Sequence, residues 1–324
     1  MDNSSIITSP ITAELEAFKA LFASSLSSSN ELLGRVIAHI RRKQGKMMRP
    51  MLVLLAAKLH GTVTDATLHA AVALELLHTA SLVHDDVVDE SSERRGQPSV
   101  NAAFNNKVAV LSGDYLLATS LVQVSLTRKH DIIGVVSLLG QDLAEGELLQ
   151  LSNVRNMDYS EQVYFDVIRK KTAALFSACT KAGALSVDAS AEEVERARLL
   201  GEYIGICFQI RDDIFDYYDN PAIGKPTGND MLEGKLTLPA LYVLRTVADP
   251  EARRLAVRVK QGEATSEEIA SLIAFTKRHG GIEYAVRTMH DYRERAFRLL
   301  APLPESPVRR ALEAYLDYVV ERTK

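Results

Sequence analysis

Apolar residues recur along most of this chain at the three- and four-residue spacing of an α-helix, and runs that alternate like strands are missing. The clearest segment is Ala66–Asp89, which is apolar nearly all round and which Thr64 or Asp65 could cap. Helices of that kind are normally buried in a core. The pattern therefore predicts an all-α fold built around this helix.

A second long apolar segment begins at about Ala191 and ends near Tyr218. Ser190 and Glu193 have the S-x-x-E spacing of a capping box at its start. Chain breakers are few, with 17 glycines and 10 prolines in 324 residues, and no linker interrupts the helical pattern. We therefore expect a single domain over residues 1–324, in which the first 30 or so residues are peripheral.

Composition and charge argue against several kinds of protein. The chain is 47% hydrophobic and 25% charged with a net charge of −4, which is ordinary for a globular protein and unlike a nucleic-acid binder. Cys179 and Cys207 lack the spacing of a zinc site or a disulfide framework and fit a reducing cytoplasm. The first residues do not form a secretory signal. No apolar run approaches the roughly 20 residues of a membrane-spanning helix, so we expect no transmembrane segment.

Both long helices end in the same acidic pattern, Asp-Asp-x-x-Asp. Its members are Asp85, Asp86 and Asp89 in the first helix and Asp212, Asp213 and Asp216 in the second. The first and last aspartates of each pattern share a helix face about 6 Å apart, where like charges repel each other and oppose the helix dipole. One such pattern could be a solvated helix end, but two copies indicate a common purpose.

Divalent cations would relieve this repulsion. Carboxylates without cysteine or histidine suit Mg²⁺, which keeps several waters and shares its remaining positions with substrate phosphates. Basic residues follow both patterns, Arg94 and Arg95 after the first and Lys225 and Lys235 after the second. Carboxylates, cations and fixed basic groups together predict a site for a diphosphate.

Other polar residues near these patterns are ambiguous when each is taken alone. His78 alone is typical of a packed core histidine. Lys46 and Arg49 alone are typical of surface charges, and Lys171 and Thr172 of an exposed helix edge. Gln209 shares a helix face with Asp212 and Asp216, which mildly favours a role.

Together these residues resemble the trans-isoprenyl diphosphate synthases, and most of all the long-chain polyprenyl synthases of bacteria. The resemblance runs from about Gln44 to the end of the chain and rests on GKMMRPMLVLL, LELLHTASLVHDDVVDESSERRGQPSVN, VAVLSGDYLLA, GELLQL, KTAALF and QIRDDIFDYYDNPAIGKPTGNDMLEGKLTLPAL. It implies the isoprenoid-synthase fold, an all-α bundle around a deep central cavity with the two acidic patterns facing each other across its mouth. The chain departs from the family's usual residues at Gln44, Met47 and Asn105.

The resemblance also implies a role for each candidate residue. The metal ligands, for about three Mg²⁺ ions on the allylic diphosphate, would be Asp85, Asp86, Asp89, Asp212, Asp213 and Asp216. The residues that contact this diphosphate would be Arg94, Lys171, Lys225 and Lys235, and those that hold isopentenyl diphosphate would be Lys46, Arg49, His78 and Arg95. Thr172 and Gln209 would flank the reacting carbon. The group implied to be catalytic comprises Asp85, Asp89, Lys171, Thr172, Gln209, Asp212 and Lys225.

The implied reaction is the Mg²⁺-dependent, sequential head-to-tail condensation of isopentenyl diphosphate onto an allylic diphosphate such as farnesyl or geranylgeranyl diphosphate. Two small residues, Ala80 and Ser81, precede Asp85 where short-chain members of the family carry bulky aromatics. Their size implies a long-chain product, with quinone side chains as its destination. A short-chain farnesyl or geranylgeranyl diphosphate synthase is the alternative.

Three further functions remain open. The His84–Asp85 pair would suit an HD-type metal phosphohydrolase, but no second histidine cluster accompanies it. A terpene cyclase usually carries Asn or Ser in its second motif, and a non-catalytic synthase subunit tends to lose the aspartates, whereas both patterns are intact here. The resemblance further implies a homodimer. The cysteines indicate a cytoplasmic location, and we expect peripheral membrane contact during product release.

Overall fold

The computed structural model describes residues 3–42, 45–154, 159–218 and 227–322 and is almost entirely helical over these ranges. The all-α prediction is therefore confirmed. In chain order the helices are α1 (Asn3–Thr8), α2 (Thr12–Ser25), α3 (Glu31–Arg41), α4 (Met48–His60), α5 (Asp65–Val88), α6 (Val100–Ala103), α7 (Asn106–Leu126), α8 (His130–Val154), α9 (Glu161–Ile168), α10 (Ala174–Ser186), α11 (Ala191–Phe215), α12 (Asn229–Leu232), α13 (Leu238–Thr246), α14 (Pro250–Lys260), α15 (Ser266–Arg278), α16 (Gly281–Leu300) and α17 (Pro307–Glu321). Shorter elements are a 3₁₀ turn at Ser9–Ile11, a π-helix at Arg169–Ala173, and an antiparallel hairpin of β1 (Glu93–Arg94) and β2 (Gln97–Pro98).

The helix α5 begins and ends within one residue of the segment that the apolar pattern predicts. Thr64 caps it, because its side chain accepts the backbone N–H of Thr67 while the Thr67 side chain accepts the N–H of Thr64. Its last helical residue is Val88, and Asp89 follows as the C-cap, donating its N–H to the carbonyl oxygen of Asp85 at 2.8 Å. Most of its side chains are buried, so α5 is the expected core helix.

Contacts divide the chain into two compact units. The first unit comprises Met1–Gln141, Leu175–Gly201 and Leu303–Tyr315, and the second comprises Asp142–Ala174, Glu202–Pro302 and Leu316–Lys324. In the first unit α5 packs against α4 and α7. In the second unit α13 packs against α15 and α16. The expectation of one domain over residues 1–324 stays a prediction.

The packing of α7 on α5 is close because small residues face the partner helix. Ser120 donates its hydroxyl to the carbonyl oxygen of Ala73 at 2.7 Å. A Cβ placed on Gly113 would lie 2.2 Å from Nε2 of His84, so a glycine is needed for His84 to lie there. These contacts bury one face of α7 and turn the opposite face outward.

Two helices, α5 and α7, are long and apolar enough to cross a membrane by length and composition. The expectation that no apolar run approaches this length is therefore wrong. The protein buries 61% of the most apolar stretch of α5 and 39% of that of α7. Burial in the core accounts for the apolar character of α5, whereas the outward face of α7 stays exposed.

Candidate functional site

The three aspartates of the first acidic pattern have different surroundings. Asp85 is half-buried on the last turn of α5 and Asp89 is exposed. Asp86 is only 2% exposed, and both of its carboxylate oxygens accept hydrogen bonds from Arg94 Nε, at 2.7 and 2.8 Å. Nη2 of Arg94 lies 2.6 Å from the same carboxylate. Asp86 therefore serves as the partner of Arg94, while Asp85 and Asp89 lie nearer to solvent.

A tight hairpin turn places the two arginines that follow this pattern. The strands β1 and β2 are joined by Arg95 and Gly96, whose φ values of 55° and 71° are both in the left-handed region. Turns of this kind fit the right-handed twist of paired strands. A Cβ on Gly45 would lie 3.1 Å from a guanidinium nitrogen of Arg95, so the glycine lets the chain pass close to this side chain.

Arg95 lines an open cavity of about 690 Å³ within the first unit, here called the Arg95 cavity. Its polar lining includes Glu75, Asp86 and Arg94. Oε2 of Glu75 is enclosed and no hydrogen-bond donor among the described residues reaches it. Burial raises the pKa of Glu75, against the opposing influence of Arg49 and Arg95. A carboxyl group thus lies among the cations of this cavity.

The other basic residues predicted for this region do not line the Arg95 cavity. Lys46 is exposed, and Arg49 stacks 5.5 Å from the ring centroid of Phe176. His78 is 8% exposed, and burial, followed by Arg49 and Arg95, holds its pKa well below the ordinary value. His78 is therefore a neutral imidazole at physiological pH.

The two residues predicted to set product length are neighbours with different exposure. Ala80 is 2% exposed within the core of the first unit. Ser81 is half-buried, and its hydroxyl donates to the carbonyl oxygen of His78 at 2.9 Å. A larger side chain is therefore accommodated more readily at Ser81 than at Ala80.

In the second unit the middle aspartate is again buried. Asp213 is 2% exposed and accepts hydrogen bonds from the Tyr164 hydroxyl at 2.5 Å and from Gln209 Nε2 at 2.8 Å. Thr172 in turn donates to Gln209 Oε1 at 2.7 Å. Burial raises the pKa of Asp213 to about 7, although these two donors oppose the shift. The predicted Thr172 and Gln209 are thus brought together with an aspartate of the second pattern.

The outer aspartates of the second pattern are held from different directions. Oδ1 of Asp212 accepts a hydrogen bond from Nη2 of Arg322 at 2.6 Å. The Asp216 carboxylate accepts the backbone N–H groups of Asn229 and Asp230 at 2.9 and 3.1 Å. The protein therefore holds both outer aspartates of the second pattern.

Lys171 lies in the π-helix Arg169–Ala173, a local irregularity of a type often found at functional sites. Its Nζ pairs with Glu147 and lies 3.4 Å from Gln150 Oε1. Glu147 and Gln150 belong to the GELLQL segment, so this segment supplies the partners of Lys171. A Cβ on Gly146 would lie 2.9 Å from the backbone nitrogen of Lys171, so the glycine leaves room for the π-helix.

These groups border an open cavity of about 910 Å³ within the second unit, here called the Lys171 cavity. Its polar lining includes Lys171, Thr172, Gln209, Asp213, Asp230, Lys235 and Lys260. Lys235 also pairs with Glu233 at 2.5 Å. Burial, and then Asp213 and Asp216, raise the pKa of Asp230 well above its ordinary value. Lys225 lies outside the described residues, as does Gln44.

Several residues that line these cavities or bond the predicted site residues were not predicted from the sequence. They are Glu75, Glu147, Tyr164, Asp230, Lys260 and Arg322. Asp230 stands in the quoted segment GNDMLEGK, close to Lys235, which was a usable signal. Tyr164 lies 49 residues from Asp213 and Arg322 lies 110 residues from Asp212, and no spacing rule reveals such partners.

The donor chemistry of both acidic patterns fits a hard divalent cation. Asp85, Asp89, Asp212 and Asp216 offer only oxygen atoms, which Mg²⁺ and Ca²⁺ prefer. Among the described residues, no group of three or more His, Cys, Asp or Glu side chains could hold a metal by itself. A Mg²⁺ ion held by one or two carboxylates, with waters and phosphate oxygens, does not require such a group.

Comparison with known proteins gives one family. The family model described as polyprenyl synthetase matches residues 30–276. The octaprenyl diphosphate synthase of Escherichia coli (strain K12) is 32% identical over 312 residues, which cover 96% of each chain. Relatives named heptaprenyl diphosphate synthase component 2, from Geobacillus stearothermophilus, and nonaprenyl diphosphate synthase, from Mycobacterium tuberculosis, are each 34% identical. Their matches cover at least 95% of both chains.

Solved structures share the fold. A crystal structure described as geranylgeranyl pyrophosphate synthase from Bacteroides thetaiotaomicron is 63% identical with a TM-score of 0.89, and the match covers 99% of this chain and 100% of that one. The polyprenyl synthase from Caulobacter crescentus CB15, complexed with calcium and isoprenyl diphosphate, is 30% identical with a TM-score of 0.93, over 99% and 98% of the two chains. The fold expected from the sequence resemblance is therefore confirmed.

Proposed function

The chain belongs to the polyprenyl synthetase family and is a prenyltransferase, and we propose that it makes a long-chain polyprenyl diphosphate. It would add isopentenyl diphosphate repeatedly, head to tail, to an allylic diphosphate. The observation that carries the proposal is the repeated Asp-Asp-x-x-Asp helix end. In each copy the second aspartate is buried and bonded to the protein, while the first lies nearer to solvent.

The proposed cofactor is Mg²⁺, held by Asp85 and Asp89 in the first unit and by Asp212 and Asp216 in the second. The Caulobacter relative was crystallised with calcium and isoprenyl diphosphate, which supports a divalent cation for this class of substrate. Bound cations would neutralise the diphosphate and favour cleavage of the allylic C–O bond. Asp86 and Asp213 would support the metal ligands rather than bind the cation first, since both are buried, each only 2% exposed, and their carboxylates already accept hydrogen bonds from protein donors.

The chain's own side chains would hold the substrates through the reaction. The residues that would bind the allylic diphosphate are Lys171 and Lys235, with Arg94 and Lys225. Those that would bind isopentenyl diphosphate are Arg95, with Lys46, Arg49 and His78. When the allylic C–O bond breaks, its electron pair leaves with the diphosphate. The double bond of isopentenyl diphosphate attacks the resulting cation, and a proton then passes to a diphosphate oxygen. Thr172 and Gln209 would flank the reacting carbon, and the apolar surroundings would exclude water.

The outward face of α7 supports a homodimer. Leu111, Leu121 and Val122 are 68%, 53% and 56% exposed on this face. Pairing with the same face of a second copy would bury these apolar side chains on both copies at once.

A cytoplasmic location is proposed because Cys179 and Cys207 are both free and buried. Release of a long, lipid-like product would bring the protein to a membrane surface.

One observation favours a shorter product. The structure described as geranylgeranyl pyrophosphate synthase is 63% identical, whereas the named octaprenyl, heptaprenyl and nonaprenyl synthases are 32–34% identical. The long-chain proposal rests instead on those three relatives and on the small side chains of Ala80 and Ser81, at positions where the family's short-chain members carry bulky aromatics. The two products therefore have to be distinguished by experiment.

The deciding experiment incubates the purified protein with Mg²⁺, farnesyl diphosphate and labelled isopentenyl diphosphate and resolves the products by length. A ladder that ends in one species of seven or more isoprene units, as in the heptaprenyl relative, supports the long-chain proposal. Label that stops after a single addition identifies a geranylgeranyl diphosphate synthase. No incorporation by folded protein would overturn the proposed reaction. Direct assay of zinc and iron tests the HD-type phosphohydrolase, for which His84 lies 3.4 Å from Asp114.

A further inference from the structure

Arg322, the last residue that the structure describes, lies against an aspartate of the second acidic pattern. Its Nη2 lies 2.6 Å from Oδ1 of Asp212 and 2.9 Å from the carbonyl oxygen of Phe208. The Arg322 side chain is 10% exposed, whereas that of Asp212 is 42% exposed. A nearly buried arginine thus donates a hydrogen bond to a carboxylate that remains partly exposed to solvent.

Contacts other than Asp212 fix the position of Arg322. Its guanidinium carbon lies 3.9 Å from the ring centroid of Phe208 and 5.4 Å from that of Phe215. Its backbone carbonyl oxygen accepts hydrogen bonds from Nε and Nη2 of Arg211, at 3.0 and 2.9 Å. The position of Arg322 is therefore set by groups other than Asp212, and the Asp212 carboxylate orients itself toward the arginine.

The arrangement is not the one that stability alone would favour. Nε of Arg322 is buried and has no hydrogen-bond partner among the described residues. A buried donor without an acceptor is unfavourable, because it loses its hydrogen bonds to water and gains none in return. Arg211 and Arg322 also carry like charges close together, and burial, followed by the charge of Arg322, lowers the pKa of Arg211. The negative charge of Asp212 offsets part of this repulsion.

We propose that Arg322 is a positioning residue for the divalent cation that binds Asp212. This inference rests on the proposed function, because it takes Asp212 as a metal ligand. Arg322 holds Oδ1 and so fixes the rotamer of the carboxylate, which presents its exposed side to the cation. Outer partners of metal-binding carboxylates orient them in this way, and their loss typically weakens metal affinity by roughly 10- to 100-fold.

The test measures Mn²⁺ binding by electron paramagnetic resonance, with inorganic pyrophosphate present. Asp212→Asn identifies the ion that depends on this carboxylate. Arg322→Gln should weaken the binding of that same ion by roughly 10- to 100-fold. Arg322→Lys, which keeps a positive donor, should restore part of the affinity. In turnover assays, the Mn²⁺ concentration for half-maximal rate should rise for Arg322→Gln, while kcat at saturating Mn²⁺ should change much less.

Arg293→Gln is the matched control for loosening of α17. Arg293 bonds Asp317 on this helix at 2.6 Å and lies away from the acidic pattern in sequence. This variant should keep the Mn²⁺ affinity of the parent protein, and circular dichroism should show both variants folded.

Two results would overturn the inference while leaving the proposed function intact. Equal Mn²⁺ affinity of Arg322→Gln and the parent protein would mean that Arg322 has no influence on the ion. Tighter binding by Arg322→Gln would mean that Arg322 competes with the cation instead of supporting its ligand. If Asp212→Asn loses no bound Mn²⁺, Asp212 is not a ligand, and that part of the proposed function fails together with the inference.

Discussion

At the scale of single residues, the two acidic patterns separate structural from exposed aspartates. Asp86 is buried against Arg94, while Asp85 and Asp89 repel each other nearer to solvent. Asp86→Asn should therefore lower the free energy of unfolding by about 1–3 kcal/mol, since it removes the charge from the buried partner of Arg94 and weakens their hydrogen bonds. Asp85→Asn should leave stability unchanged or slightly higher and abolish prenyl transfer. Urea unfolding and turnover of both variants measure this difference, and equal destabilisation by both would contradict it.

Asp213 makes the stability of the metal-free protein depend on pH. Its pKa of about 7 in the folded state is above the ordinary 3.8, so the folded state binds the proton more tightly than the unfolded chain does. The stabilisation is complete below the ordinary pKa and is lost as the pH rises through 7. Between pH 5.5 and 8 the parent should lose about 1–2 kcal/mol more stability than Asp213→Asn. Unfolding in EDTA at several pH values measures this.

The control for that experiment is Asp188→Asn. Asp188 is exposed, and its φ of 58° is a conformation that asparagine tolerates. Its pH dependence should follow that of the parent. If the stability of Asp213→Asn changed with pH as that of the parent does, the Asp213 carboxyl would not be the group responsible for the pH dependence.

How much of the site could be predicted differs from residue to residue. The i, i+4 spacing was enough to place Asp85 with Asp89, and Asp212 with Asp216, on shared faces. It could not show that Asp86 and Asp213 are buried, because burial depends on packing partners. Arg94 is near Asp86 in sequence, but Tyr164 reaches Asp213 only through the fold.

At the scale of elements, α5 offers the test of product length. Ser81 is half-buried, so a larger side chain can occupy the adjacent space, whereas Ala80 is enclosed. Ser81→Phe should shorten the longest product by several isoprene units while folding remains normal. Ala80→Phe should instead destabilise the protein by about 1–3 kcal/mol through overpacking. Chromatography of the labelled products measures the effect of Ser81→Phe, and thermal unfolding measures that of Ala80→Phe. An unchanged product length for Ser81→Phe would show that the growing prenyl chain does not pass beside Ser81.

The helix α8 contains a matched pair of glycines. A Cβ on Gly146 would press on the π-helix beside Lys171, whereas a Cβ on Gly140 would meet nothing within 4 Å. Gly140→Ala should raise stability by about 0.5–1 kcal/mol and keep activity. Gly146→Ala should raise KM for the allylic diphosphate at least several-fold, because it displaces Lys171. Steady-state kinetics of the two variants measure this, and normal KM for Gly146→Ala would show that the π-helix tolerates the shift.

Long helices with a regular apolar pattern could be predicted from the sequence, whereas short irregular elements could not. Apolar periodicity gave α5 within one residue at each end and gave the start of α11 with its Ser190–Glu193 cap. The π-helix at Arg169–Ala173 has no periodic signature, and the β1–β2 hairpin is only two residues long per strand. Their positions follow from packing and from one tight turn.

At the scale of the whole molecule, the outward face of α7 is the surface through which the proposed homodimer would form. Leu111, Leu121 and Val122 recur on the side opposite the residues that pack on α5, and α7 is about 31 Å long. An exposed apolar stripe of that length is unusual for a monomer and typical of an interface. Reasoning from sequence read α7 only as a helix, because exposure cannot be read from an apolar pattern.

The double variant Leu111→Glu/Leu121→Glu should therefore convert the dimer to a monomer. Two like-charged side chains from each copy would meet across the two-fold axis, and their desolvation is unfavourable. Light scattering should give twice the mass of one chain for the parent and one chain mass for the variant. Leu32→Glu, at an exposed leucine on α3, is the control and should stay dimeric. If the parent protein is instead a monomer that binds lipid vesicles, the outward face of α7 is a membrane contact. The double variant would then lose vesicle binding, and its mass would stay that of one chain.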